Sequence, residues 1–265
     1  MGKKIVFILG VTLLALFVIA SIFPSFIAKY NPKFMAEPWL KPSKEHLLGT
    51  NKLGYDIFSE LVYATRKTLI TGISASILAL VLATIFGALA IESKVCKSVI
   101  DTMILLPRLI VMIVLASFLK VSNYSLIIII AIFSFSTSAR AIVARVRMMK
   151  NECFIESLTV QGFSKAHILI YHIIPSLRDV LLTRFLLGIN SAIMMESTLS
   201  FLGFGDIYDP TWGTMVNLAY KNGAFLRHSY NYLLSPGLAI MLLSLSFYMI
   251  SLGFEVRHEE IKEVK

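Results

Sequence analysis

Four stretches of this chain run without a charge for long enough to cross a lipid bilayer: residues 5–28, 68–91, 121–139 and 229–254. A hydrocarbon core of about 30 Å takes about 20 helical residues. Lipid offers the backbone no hydrogen bonds, so each stretch must bond internally, and a helix does this within one segment. Two further apolar stretches, 102–119 and 185–205, are each interrupted by one charge, Arg108 and Glu196. The pattern predicts an all-α polytopic membrane protein with six transmembrane helices. Hydrophobic residues make up 57% of the chain and charged residues 15%, too few polar groups to clothe a water-soluble domain of this size.

Lys3 and Lys4 precede the first stretch as they would a signal peptide. The apolar run is longer than a signal core, however, and no small-x-small cleavage site follows, so it reads as a retained helix. With the N-terminus inside, Lys and Arg are more numerous on the cytoplasmic side, although the first outer loop is itself basic. Both termini are therefore expected in the cytoplasm. The net charge of +9 then reflects topology and contact with anionic lipid, not nucleic-acid binding. Cys96 and Cys153 fall on the cytoplasmic side, where a disulfide is not expected.

Three polar excursions remain, at 29–67, 140–183 and 206–228. The chain divides into an N-terminal helix with its outer loop (1–67), a five-helix core (68–255) and a cytoplasmic tail (256–265). In the cytoplasmic loop a helix is expected from Asn151 to Gln161, with its acidic first turn favoured by the helix dipole. Gly162 suits the left-handed residue that closes a helix, Ser164 can cap a second, and Pro175 would interrupt or kink it. Phe154, Leu158, Val160 and Phe163 are the expected apolar contacts, ringed by Arg147, Lys150 and Lys165.

Spacing within this loop resembles the EAA loop of ABC importer permeases: Glu-Ala-Ala, three residues, Gly, nine residues, then hydrophobic-x-hydrophobic-Pro. Glu156, Gly162, Ile174 and Pro175 keep those intervals, while Ser157 and Leu158 replace the alanines and His172 the first aliphatic. The stretch containing His46, Gly49, Thr50, Gly54 and Asp56 resembles the H-x-L-G-T-D-x-x-G-R-D motif of the peptide and nickel importers, departing at Asn51 and Tyr55. Glu196, Ser200, Gly203 and Gly205, followed by Trp212 and Gly213, resemble that family's E-x-x-L-S-F-L-G-x-G and P-x-W-G pair.

The resemblance implies an ABC type I importer permease bundle in a bacterial inner membrane. It further implies a second homologous permease subunit, two ATPase subunits docked on the EAA loops, and an external solute-binding protein. The solute would be a peptide, nickel or a metal chelate. ATP and Mg would bind to the partner ATPases and no cofactor to this chain, which contains no G-x-x-x-x-G-K-[S/T] run.

Glu196 and Arg108 are the charges expected inside the membrane, where ionised groups need partners or water. Glu196 could face a pathway or bond to packed polar side chains. Arg108 could snorkel to the inner surface, line a pathway or pair with Glu196. Arg66 and Lys67 are expected to anchor the outer end of the second helix, and Trp39, Trp212 and Tyr124 to sit at the outer interface. His46, His228 and the eleven methionines lack a tight ligand spacing, so no metal site is expected. A stand-alone secondary transporter or channel is the alternative, although it would need more buried coupling charges. A membrane enzyme would need a nucleophile–base pair or zinc motif that the sequence does not present.

Overall fold

A computed structural model describes residues 2–32, 34–119, 122–150 and 152–263. The expected element ends at Val121 and Asn151, and the charges Lys33, Lys120 and Lys265, fall outside the described residues. Among the described residues, five helices are long and apolar enough to cross a membrane. They are contained in α1 (Gly2–Ile22), α3 (Ile57–Leu89), α6 (Asn123–Lys150), α10 (Arg178–Leu199) with its π-helical extension Ser200–Phe204, and α12 (Tyr230–Glu263). The short α2 (Pro24–Ile27) follows α1.

The sixth expected span is not a continuous helix. It is divided into α4 (Lys94–Leu105) and α5 (Arg108–Phe118), bent by 93° at the intervening break. Pro107 explains the break, since proline has no N–H to bond and biases Leu106 towards extended backbone, where its ψ is 137°. Asp101 and Arg108 therefore lie on different helices. Asp101 pairs instead with Arg140, at 3.2 Å.

Several helices are also longer than the apolar runs that betray them. Asp56 caps α3 by accepting from Ser59 N at 2.8 Å, so the helix starts well before Thr68 and already contains Arg66 and Lys67. Its 33 residues extend about 50 Å, beyond the hydrocarbon core. Likewise α6 continues through Arg140, Arg145 and Arg147 to Lys150. The cytoplasmic excursion is correspondingly shorter than 140–183, and the expected tail is helical through Glu263.

The core is α3 packed between α6 and α10, with α12 against α10 and α1 against α12. Small residues bring these helices together, as packing between apolar helices in lipid requires. A Cβ on Gly188 of α10 would lie 2.5 Å from Ser76 Oγ, and one on Gly72 of α3 would lie 2.5 Å from Ile193 Cγ1. Ser76 Oγ donates to Phe185 O across the same crossing, at 2.9 Å.

Candidate functional site

The cytoplasmic segment folds into α7 (Cys153–Val160), a turn, α8 (Lys165–Ile168), a π-helical stretch Leu169–Ile173 and α9 (Ile174–Ser176). Gly162 has φ +85°, the left-handed conformation expected of it, and Ser164 Oγ accepts from His167 N at 3.2 Å. Pro175 stands in the first turn of α9, where its missing N–H costs least. Leu177 joins α9 to α10, so the kink expected at Pro175 takes the form of the π-helical stretch before it.

Positions three and four apart share a helix face, and α7 uses this to divide its residues. Ile155 is buried with Ile142, Val146 and Met149 of α6 and with Ile168, Ile173 and Leu177, while Leu158 packs against that cluster from its edge. Cys153, Glu156, Ser157, Val160 and Gln161 line an open depression on the opposite face. Val160 is 83% exposed, and Phe154 and Phe163 are also exposed, so the expected apolar contacts are corrected: Ile155 is the anchor and Val160 faces outward. Of the later motif positions, His172 and Ile174 are half-buried and Pro175 is exposed.

Glu92, in the turn between α3 and α4, ties this segment to the bundle. It accepts from Lys150 at the end of α6 (2.7 Å) and from Lys165 at the start of α8 (3.4 Å), one on each side of α7. The bond and charge of Lys150, then those of Lys165, hold the Glu92 carboxyl below its usual range.

Glu196 is 1% exposed and enclosed by hydroxyls. Ser200 Oγ and Thr211 Oγ1 donate to its Oε1 at 2.6 and 2.7 Å, and Ser197 Oγ lies 3.4 Å from Oε2. Thr211 also caps α11 (Trp212–Lys221), in a capping box with Thr214. Trp212 is fully buried, with Nε1 donating to Leu61 O at 2.9 Å and its ring edge-on to Phe17, so it does not sit at the lipid interface as expected. A Cβ on Gly213 would lie 2.6 Å from Ser197 Cα, and one on Gly205 2.2 Å from Thr214 Cγ2. Gly203, with φ +102°, kinks the backbone inside the π-helical stretch. Glu196, Ser200, Gly205, Trp212 and Gly213 thus form one buried knot joining α10 and α11 to α3. Arg108 is not part of it and makes no ion pair among the described residues.

The outer motif is likewise a folded unit. His46 Nδ1 and Asp56 Oδ1 are 2.9 Å apart, while Asp56 Oδ2 accepts from Ser59 Oγ at 2.7 Å. Thr50 Oγ1 donates to Glu37 O at 2.6 Å, and Tyr30 stacks on His46. Gly49 and Gly54 have φ near +80°, and a Cβ on Gly54 would meet Ala36 O at 2.1 Å. Asn51, a departure from the motif, donates to Glu60 Oε2 at 3.0 Å beneath the loop. A surface ion pair between Lys67 and Asp209 ties α3 to the 206–211 turn.

Reasoning from sequence missed Glu92, Ile155, Thr211 and Ser197. It also missed a polar cleft between α3, α6 and α10 that includes Arg184, although Ser134, Ser136, Thr137 and Ser138 are a legible break in an apolar stretch.

Residues 75–257 match the family model described as "Binding-protein-dependent transport system inner membrane component". Over 258 residues the chain is 30% identical to the dipeptide transport system permease protein DppC of Alkalihalophilus pseudofirmus, covering 93% of this chain and 83% of that protein. It is 29% identical over 251 residues to the glutathione transport system permease protein GsiD of Pectobacterium atrosepticum, covering 90% and 82% of the two chains. A putative peptide permease protein of Brucella suis is 28% identical over 219 residues, covering 80% of this chain and 72% of that protein.

Proposed function

The chain belongs to the family of binding-protein-dependent transport system inner membrane components, and we propose that it carries peptides across the membrane with α7 as its contact to an ATPase. It is a multi-pass permease component of an ABC importer, the role in which family and architecture agree. The observation that carries the coupling assignment is the division of α7. One face is anchored in the bundle through Ile155, and the other presents Glu156 and Ser157 to solvent on the motif whose spacing resembles an EAA loop. A helix so anchored moves with α6 and the α3–α4 turn, and a push on its outer face reaches the spans directly.

In this reading two ATPases engage the exposed faces of two permease subunits, this chain and a homologue, and an external binding protein delivers the solute. ATP and Mg reside on the ATPases, this chain catalyses no reaction, and both termini are cytoplasmic. The three relatives' names all refer to dipeptides, peptides or glutathione, which favours peptides over nickel or a metal chelate as the solute. The buried knot around Glu196 and the capped outer loop then serve as framework for the moving parts. A tagged chain purified in mild detergent should bring with it a second permease and ATPase subunits. Recovery of this chain alone, with peptide movement independent of ATP, would support a stand-alone transporter instead.

A further inference from the structure

One polar feature within the spans belongs neither to α7 nor to the Glu196 knot. Where α3, α6 and α10 meet, a small cleft of about 60 Å³ opens between Ser76, Ser134, Thr137, Ser138, Arg184 and Ser191. Arg184 lies six residues into α10, about 9 Å along its axis. It stands at the head of the apolar stretch 185–205 and is half-buried among these helices, where a guanidinium is expected to face water, a partner or a ligand. Ser76, Ser134 and Thr137 already donate inward, to Phe185 O, Met195 Sδ and Ser134 O. Ser138, Ser191 and Arg184 have no partner among the described residues, and no acidic side chain lines the cleft. The cleft thus combines one uncompensated positive charge with free hydroxyl donors. That is the chemistry that recognises a planar oxyanion, which a guanidinium grips through two parallel bonds.

We propose that this cleft is a binding point on the solute path at which Arg184 and the flanking serines hold a carboxylate of the passing solute. The inference rests on the peptide-import reading, since every unmodified linear peptide carries such a group at its C-terminus. It also explains why the cleft contains a lone cation and not an ion pair, because an internal carboxylate would compete with the cargo.

The test uses the reconstituted complex with its ATPases and binding protein, an alanine tripeptide and the same tripeptide with its C-terminus amidated. Each is supplied at saturation of the binding protein, and each rate is compared with wild type for the same probe. Arg184→Gln is expected to lower uptake of the free acid by about tenfold or more, the loss of a charge-assisted contact, and to change uptake of the amide by less than about twofold. Equal losses for both peptides overturn the proposal. So does a loss that appears only in vesicles containing phosphatidylglycerol, which would assign Arg184 to lipid headgroups.

A second measurement needs no transport. In a chain with Cys96 and Cys153 changed to Ser, Ser138→Cys should react about fivefold faster with an anionic than with a cationic methanethiosulfonate, by attraction to Arg184. Arg184→Gln should erase that preference, and the free-acid tripeptide should slow the anionic reagent more than the amide does. Absence of any preference overturns the proposal, and would fit an Arg184 neutralised by a carboxylate of the partner permease. If the wild-type complex moves neither peptide, the peptide reading fails and the labelling ratio alone decides the cleft.

Discussion

Replacing Thr211 by valine probes the knot around Glu196 with little change of shape. The side chain is 1% exposed and valine fills the same space, so no cavity opens. What disappears is the 2.7 Å bond to Glu196 Oε1 and the side-chain acceptor, 3.4 Å from Thr214 N, that caps α11. Oε1 keeps the Ser200 bond, so the lost bond costs about 0.5–1.5 kcal/mol, and loss of the N-cap adds about 0.5 kcal/mol, the low end applying to so long a cap bond. The expected loss is therefore about 1–2 kcal/mol. At about 2–4 °C per kcal/mol, melting of the detergent-solubilised complex should fall by about 2–8 °C. Ser200→Ala removes one donor and no cap, so it should fall less. The double variant should be non-additive, because both hydroxyls serve the same Oε1. Melting is followed by the monodisperse fraction surviving a heat step, and uptake is measured per surviving complex. Uptake per complex should stay near wild type if Glu196 is framework. An unchanged melting temperature with lost uptake would refute this and place Glu196 on the pathway.

Glycine positions give a paired prediction. Gly162→Ala meets no atom within 4 Å and carries only the left-handed penalty, about 1–2 kcal/mol, whereas Gly54→Ala adds a 2.1 Å clash with Ala36 O and should expose the outer loop to limited proteolysis. Cys153 is exposed on the outward face of α7 and Cys96 half-buried, so maleimide should modify Cys153 faster, and bound ATPase should slow that reaction selectively. The Glu92 clamp is depressed below the ordinary value of 4.5, so its contribution is fully present above pH 4.5 and lost as the pH falls through the lower folded value. Hydrogen exchange in the α7–α8 segment should thus not change with pH between 5 and 8, after correction for intrinsic rates. It should rise in Glu92→Gln at every pH in that range.

The spans were legible because lipid leaves a compositional mark, but their ends were not. A helix emerging into water continues as long as its backbone bonds hold. Arg66 and Lys67 therefore lie inside α3, and Arg140 through Lys150 inside α6. The division of the third span follows from Pro107, visible in the sequence, yet the 93° bend depends on packing that one position does not reveal. Gly162 and Ser164 behaved as their chemistry dictates, since their roles are local. Ile155 was missed because an eight-residue helix offers too few turns to tell its buried face from its exposed one. Trp212 misled for a related reason: a tryptophan near a span end suggests the interface, whereas Thr68 Oγ1, Leu61 O and Phe17 supply a buried seat that only the fold assembles. The Ser134–Ser138 region announced polarity in sequence. Its cleft with Arg184 required α6 and α10 to be set side by side.

In the proposed function the outward face of α7 transmits ATPase motion to the spans. This is tested by ATP-driven peptide uptake in the reconstituted complex carrying Glu156→Arg together with Gly162→Ala, beside ATP hydrolysis in the same vesicles. Uptake should fall by about tenfold or more, with hydrolysis no longer stimulated by loaded binding protein, while membrane insertion and the yield of this chain match wild type. Unimpaired uptake in that double variant would contradict a coupling role for α7.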